Sequence, residues 1–286
     1  MIQMMINTLA SAAIVAPAAV AFTLVFTLFR YANFAVGGFV TIGAFAAWTF
    51  NVPLGLPLWV SGIGAMIVCG LAFAVLDRLV FRALRGRNGG TLLLVSIALS
   101  FVLENVMRFF YGAQLKSFDL PLTGPILVGG IRITRETIAV VSISLLAILA
   151  VGAILLLTPI GRALRAVADN PSLANVRGLP VPRVETLGIA IAGAMLGLSG
   201  TLVGIDLAID PNLNWAVTIP IIAAAIVGGL GSPLGAAAGA ILIGGAEELT
   251  VAFLSPTYKG AVGFLVIAIV LILRPQGLLG DKVDRK

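Results

Sequence analysis

The chain has 286 residues, of which 60% are apolar and only 10% charged, and its mean hydropathy is +1.13. A soluble domain carries about 25% charged residues, so this composition excludes a water-facing globular fold and makes the helical crossing of about 20 apolar residues the unit of organisation. The formal charge of +6 would point to nucleic acid in a soluble protein, but in a membrane protein it marks the side on which Lys and Arg gather.

No Lys or Arg precedes the first apolar run, so the basic region of a cleavable signal peptide is missing and the segment reads as a retained helix. Nine apolar runs follow in order: Leu9–Phe29, Asn33–Phe50, Leu58–Val80, Thr91–Tyr111, Thr137–Leu157, Glu185–Ile205, Ala216–Leu230, Gly235–Leu254 and Gly260–Leu273. Turn-forming stretches part them, among them Asn51–Pro57, Gly228–Gly235 and Ser255–Gly260. The runs 33–50, 216–230 and 260–273 are short enough to be tilted, broken or re-entrant, which is tolerated where a helix lines protein rather than lipid. The expectation is an all-α integral membrane protein, a polytopic bundle of 8–9 transmembrane helices. Residues 1–286 then form a single transmembrane domain, since no polar stretch is long enough for a separate soluble one.

With nine crossings and the N-terminus outside, one side collects Arg30, Arg78, Arg82, Arg85, Arg87, Arg162, Arg165, Arg177, Arg183, Arg274, Lys282, Arg285 and Lys286. The other keeps Lys116, Arg132, Arg135 and Lys259. That bias places the C-terminus in the cytoplasm. Glycines recur in small-xxx-small spacing at Gly193/Gly197, Gly200/Gly204, Gly231/Gly235 and Gly235/Gly239, which reads as close helix packing rather than as a substrate site.

The cytoplasmic loop 158–184 carries the most local information. Thr158–Pro159 starts a helix that runs to about Ala168, and Asn170–Pro171 starts another. Gly178 supplies the position after the second helix, Arg177 suits its last turn, and Pro180 forbids resumption. The spacing predicts a two-turn helix over 171–177 with Leu173 and Val176 on one face. So short a helix is unstable alone and must dock, either on the membrane surface and its own bundle or on a cytoplasmic partner.

The spacing Ser172-Leu173-Ala174-x3-Gly178 resembles the Glu-Ala-Ala-x3-Gly signature of the short cytoplasmic helix of ATP-binding-cassette importers, with Ser172 and Leu173 as departures. Within that class, Gly161-Arg162-Ala163-Leu164-Arg165-Ala166-Val167-Ala168-Asp169, then Ala174, Gly178, Val181 and Arg183-Val184, is similar to the branched-chain amino acid permeases of the LivH type. Three further segments extend the likeness over most of the chain. They are Asn33-Phe34-Ala35 with Gly37-Gly38 and Gly43-Ala44, the turn Ile226–Gly235, and Leu273-Arg274-Pro275-Gln276-Gly277-Leu278-Leu279-Gly280. The family commonly has histidine where Val36 stands.

The resemblance implies a permease subunit of an ATP-driven importer of amino acids, branched-chain ones (Leu, Ile, Val) first. Its implied partners are a second related permease, two cytoplasmic ATP-binding subunits and an external substrate-binding protein, with membrane lipid around it and no nucleic acid. No G-x-x-x-x-G-K-[ST] occurs, so the chain has no phosphate-binding lysine of its own and no cofactor is expected. The resemblance points to Arg162, Arg165, Asp169, Ala174, Asn175, Val176, Arg177 and Gly178 as the surface that meets the ATPase.

The translocation path has five sequence candidates, Asn33, Glu104, Asn105, Glu247 and Glu248, because polar groups inside a membrane are expensive. Glu104 and Arg108 lie four apart and read first as a self-neutralising structural pair. Glu247 and Glu248 have no cation nearby in sequence and are expected to face a cavity or a partner helix. Asp206, Asp210, Asn212, Asn214 and Trp215 read as an outside polar turn, with contact to a binding protein as the less favoured reading. An embedded enzyme lacks the necessary nucleophile, base or metal ligands. A secondary transporter or channel is the alternative, weakened by the absence of a convincing repeat and of an ionisable relay beyond Glu247/Glu248.

Overall fold

Each apolar run becomes a helix because lipid leaves backbone groups no partner but one another. The computed structural model describes residues 2–120, 124, 126–128, 131–274 and 276–279. Among the described residues seven helices are long and apolar enough to cross a membrane: α1 (Ile2–Phe29), α3 (Leu58–Leu84), α4 (Gly89–Tyr111), α5 (Arg135–Leu157), α8 (Val181–Asp206), α10 (Pro233–Phe253) and Pro256–Leu273, whose α-helical part is α11 (Lys259–Leu273). Two more are apolar but short, α2 (Val36–Asn51) and α9 (Leu213–Gly228). These two are among the runs that looked too short to cross. The third, 260–273, reaches crossing length once the 3-10 turn Pro256–Tyr258 is added. Between α5 and α8 lie α6 (Pro159–Asp169) and α7 (Pro171–Val176). A two-strand hairpin, Ile126–Val128 with Ile131–Ile133, pairs antiparallel before α5.

The centre of the bundle is α1 and α8. Residues 12–25 of α1 are buried except Val15, and six of them are alanine, which makes a thin helix that neighbours can approach closely. α8 does the same with glycine. A Cβ at Gly197 would lie 2.6 Å from the Ala65 carbonyl oxygen, one at Gly193 2.7 Å from that of Cys69, and one at Gly200 would collide with the Val40 carbonyl. The packing reading of Gly193, Gly197 and Gly200 therefore holds, and Gly239 joins them against Ala224. Gly231 instead takes φ +104° in the turn before α10. Ser199 ties the two central helices by donating to the Ile14 carbonyl at 2.6 Å.

The helices alternate in direction, so the arginines segregate. Arg30, Arg78, Arg82, Arg85, Arg87, Arg162, Arg165, Arg177, Arg183 and Arg274 fall at one end, the basic end, together with α6 and α7. Lys116, Arg132, Arg135 and Lys259 fall at the far end. Lys282, Arg285 and Lys286, and Pro275 and Gly280 of the C-terminal motif, lie outside the described residues.

Near the basic end α3 contains a π-helical stretch, Asp77–Phe81, whose wider turn buries both Asp77 and Phe81. Arg85 reaches back to both Asp77 oxygens (2.7 and 2.6 Å) and across to Glu185 in the first turns of α8 (2.5 Å). Its guanidinium also sits 4.0 Å over the Phe29 ring at the end of α1. One arginine thus joins the ends of three helices. Tyr31 packs beside it on Phe81, and burial, aided by the Asp77 charge, pushes its phenol up and keeps it neutral.

Candidate functional site

Two places gather polar or exposed groups that packing alone does not require. The first begins at α4, where Ser96, Ser100, Glu104 and Arg108 recur every four residues along one face. Ser96 accepts the Phe34 N–H at 3.0 Å just before α2 starts. Ser100 donates to Asn214 Oδ1 at 2.9 Å, and Asn214 Nδ2 donates to Glu104 Oε2 at 3.1 Å. Glu104 Oε1 pairs with Arg108 at 3.0 Å, and Thr218 donates to the Asn214 carbonyl at 2.7 Å. Ser96, Ser100, Asn214 and Thr218 are at most 1% exposed.

The same contacts fix the depth of the short helices. Asn214 is the second residue of α9 and Gly37 the second of α2, and a Cβ on Gly37 would lie 2.6 Å from Asn214 Oδ1. Both meet the middle of α4, between Ser96 and Glu104. α2 and α9 are therefore half-spans that start beside each other at mid-depth and run to opposite ends. Two helix N-termini with free N–H groups and positive dipole ends converge where Glu104 brings its carboxylate. Glycine at position 37 is what lets the two backbones meet.

Of the five path candidates, Glu104 stands in this seam. Asn33 stands at its edge, its Oδ1 accepting the Ala35 N–H at 2.9 Å and its amide donating to Tyr31 at 3.3 Å. Asn105 turns away, donates to the Phe101 carbonyl and lies on the exposed face of α4. Glu247 is not left without a cation: Lys259 Nζ is 3.3 Å away, twelve residues on but brought back by the turn before α11. Glu248 accepts from Ser11 of α1 at 3.4 Å. Neither faces the seam. Asn214 corrects the reading of residues 206–215 as one outside turn. Asp210 Oδ1 accepts the Asn212 N–H at 2.8 Å and ends the loop, so Asn214 is already inside α9. Ser96, Ser100 and Thr218 were missed because a hydroxyl in an apolar run carries no signal until its neighbour is known.

Asn214→Leu checks how much the seam holds. It removes one hydrogen bond from a buried carboxylate and one from Ser100. The expected cost is about 2 kcal/mol, above the roughly 0.6 kcal/mol average for membrane side-chain bonds because one partner is charged. Denaturant titration of the purified protein measures it, and a cost near the average would mean that the seam is loosely held.

The second place is α6 and α7. Thr158 Oγ accepts the Gly161 N–H at 3.2 Å and starts α6, and Asn170 Oδ1 accepts the Leu173 N–H at 3.0 Å and starts α7. α7 ends in a Schellman closure: Gly178 donates to the Asn175 carbonyl (2.9 Å), Leu179 donates to that of Ala174 (3.0 Å), and Gly178 takes φ +83°. The predicted two-turn helix is therefore present. Leu173 is 55% and Val176 84% exposed, whereas Ala174 is buried against its own chain. Arg162, Asp169, Asn175, Arg177 and Gly178 are exposed with them. Arg165 is directed elsewhere, its guanidinium resting on the Leu155 carbonyl.

Among the described residues no group of three or more His, Cys, Asp or Glu could hold a metal ion. A polytopic helical bundle with a polar seam at mid-depth and an apolar two-turn helix held out at its basic end has the layout of a membrane transport component. The chain belongs to the family described as "Branched-chain amino acid transport system / permease component", whose model matches residues 4–271. It is similar to the high-affinity branched-chain amino acid transport system permease proteins LivH of Escherichia coli (strain K12) and BraD of Pseudomonas aeruginosa, each 28% identical over 98% of this chain and 95% of the relative. It is also similar, at 26% identity over 87% of this chain and 82% of the relative, to the guanosine ABC transporter permease protein NupQ of Bacillus subtilis.

Proposed function

We propose that this chain is the permease subunit of an ATP-binding-cassette importer and forms the inner-membrane path for branched-chain amino acids. It works beside a second related permease, two cytoplasmic ATP-binding subunits and an external substrate-binding protein. The N-terminus is outside and the basic end cytoplasmic, in keeping with the segregation of arginine. The observation that carries the reading is α7, a stably capped helix that holds Leu173 and Val176 out to water. An apolar pair costs free energy in water and is retained where a partner covers it.

The ATP-binding subunit covers that pair, with Arg162, Asp169, Asn175, Arg177 and Gly178 around it and Ala174 seating the helix from behind. Closure of the two ATP-binding subunits moves α7. Its motion enters the bundle through Leu179–Pro180 and the start of α8, where Glu185 is held by Arg85. The seam of α2, α4 and α9 is the path, since its hydrogen bonds can be exchanged for those of a solute with a carboxylate and an ammonium group.

Leu173→Glu with Val176→Glu tests the coupling. Both positions are exposed, so insertion and stability stay within about 0.5 kcal/mol of the parent. Loss of a central apolar pair costs about 2–4 kcal/mol of association, so co-purification of the ATP-binding subunit and uptake of labelled leucine fall by about 30-fold or more. Normal uptake in that double variant would sink the reading. Labelled guanosine run beside leucine decides the substrate, because one relative is a guanosine permease.

A further inference from the structure

Arg165 is set apart from Arg162, the other cation of its helix. α6 is amphipathic: Gly161, Leu164 and Val167 are buried, and Arg162, Arg165 and Asp169 are exposed. Its buried side packs against α1, α5 and α8, which holds the helix at the basic end of the bundle. Beneath Arg165 a cavity of about 260 Å³ opens between α1, α5, α6 and the first turn of α10. Its walls include Leu24, Leu28, Gly152 and Leu155, and among the described residues no Asp or Glu lines it. It shares no residue with the seam of α2, α4 and α9. Leu156 and Leu234 at its edge are 61% and 52% exposed, so the slot opens sideways to where lipid lies.

We propose that this slot binds an anionic phospholipid, with an acyl chain between α1 and α5 and the phosphate on Arg165. The shape and the charge argue for the same ligand. An apolar slot that opens into the bilayer takes a hydrocarbon chain, and a guanidinium at its mouth offers the donor fork that fits a phosphate. Basic pockets between transmembrane helices near the interface are where anionic headgroups bind. A zwitterionic lipid would bring an ammonium group to a mouth that already holds a cation and, among the described residues, has no carboxylate to receive it. The first turn of α10, at Ser232–Pro233, adds the positive end of its dipole to the same mouth. The inference stands independently of what the bundle transports.

Native mass spectrometry of the full chain, titrated with phosphatidylglycerol or phosphatidylcholine, tests it. The parent should retain phosphatidylglycerol about fivefold over phosphatidylcholine, the factor expected of one arginine near an anionic headgroup. Arg165→Gln should bring that ratio to about one, and Arg165→Lys should keep part of it. Gly152→Leu fills the slot, and since a Cβ there meets nothing within 4 Å the variant should fold and lose retention of both lipids. Arg135→Gln at the far end should change neither. Equal retention of the two lipids by the parent, or an unchanged preference in Arg165→Gln, would overturn the proposal. Displacement of the lipid by millimolar inorganic phosphate would also overturn it, by marking a free-anion site.

Discussion

Arg85→Ala is expected to cost about 3–5 kcal/mol, because it leaves the buried Asp77 carboxylate and the half-buried Glu185 carboxylate facing each other without the cation that bridges them. The loss exceeds that of an ordinary surface ion pair, about 0–1 kcal/mol, since Asp77 is only 4% exposed and cannot turn to water. Arg85→Lys should recover part of it, as an ammonium cannot serve both carboxylates and the Phe29 ring in one plane. Adding Asp77→Asn to Arg85→Ala should restore stability toward the parent by removing the stranded charge. Unfolding of the purified protein in a denaturant series measures all three. A cost for Arg85→Ala below about 1 kcal/mol would show that the cluster is solvated and does not hold the helix ends together.

The second large effect concerns backbone contact between α9 and α10. A Cβ at Gly239 would collide with the Ala224 carbonyl and lie 2.7 Å from the Gly228 nitrogen, and Gly228 in turn abuts Gly235. Neither neighbour is a side chain that can rotate away. Gly239→Leu should therefore cost about 3 kcal/mol or more and lower the yield of folded protein in the membrane. Gly90→Ala supplies the contrast: nothing lies within 4 Å of that Cβ in the first turn of α4, so it should gain up to about 1 kcal/mol. If both changes proved equally mild, the close approach of α9 and α10 would not be what holds them.

The elements were legible because one force dominates them. The spans predicted over 33–50, 58–80, 137–157 and 235–254 match α2, α3, α5 and α10 to within about four residues at either end. α1 is the exception. It starts at Ile2 rather than Leu9, since Gln3 and Asn7 lower the hydropathy while remaining good enough helix residues to carry the turn outward. The π-helical stretch at Asp77–Phe81 left no mark in the sequence, because it answers to Arg85 and Glu185, distant in sequence or on another helix.

The loop 158–184 was legible for a different reason. Thr158, Asn170 and Gly178 act on backbone groups within a few residues of themselves, so local chemistry is enough to specify α6 and α7. The seam was not local. Asn214 sits among Asp210, Asn212 and Trp215, and polarity there reads as water until Ser100 and Glu104 are brought 110 or more residues back beside it. Glu247 is the converse, a carboxylate that looked unpaired until the turn at 254–258 returned Lys259 to it.

The glycine faces of α8 have a mechanical side. Where Gly193, Gly197 and Gly200 meet α2 and α3, the contact is main chain on main chain. Interlocked side chains give a pair of helices discrete notches, and moving from one notch to the next requires rotamers to flip. A track of Cα hydrogens and carbonyls has no rotamers to flip, which is the kind of contact that suits small shear steps of one helix along another. The helix that follows the exposed surface helix in sequence is thus one whose contacts leave sliding open to it.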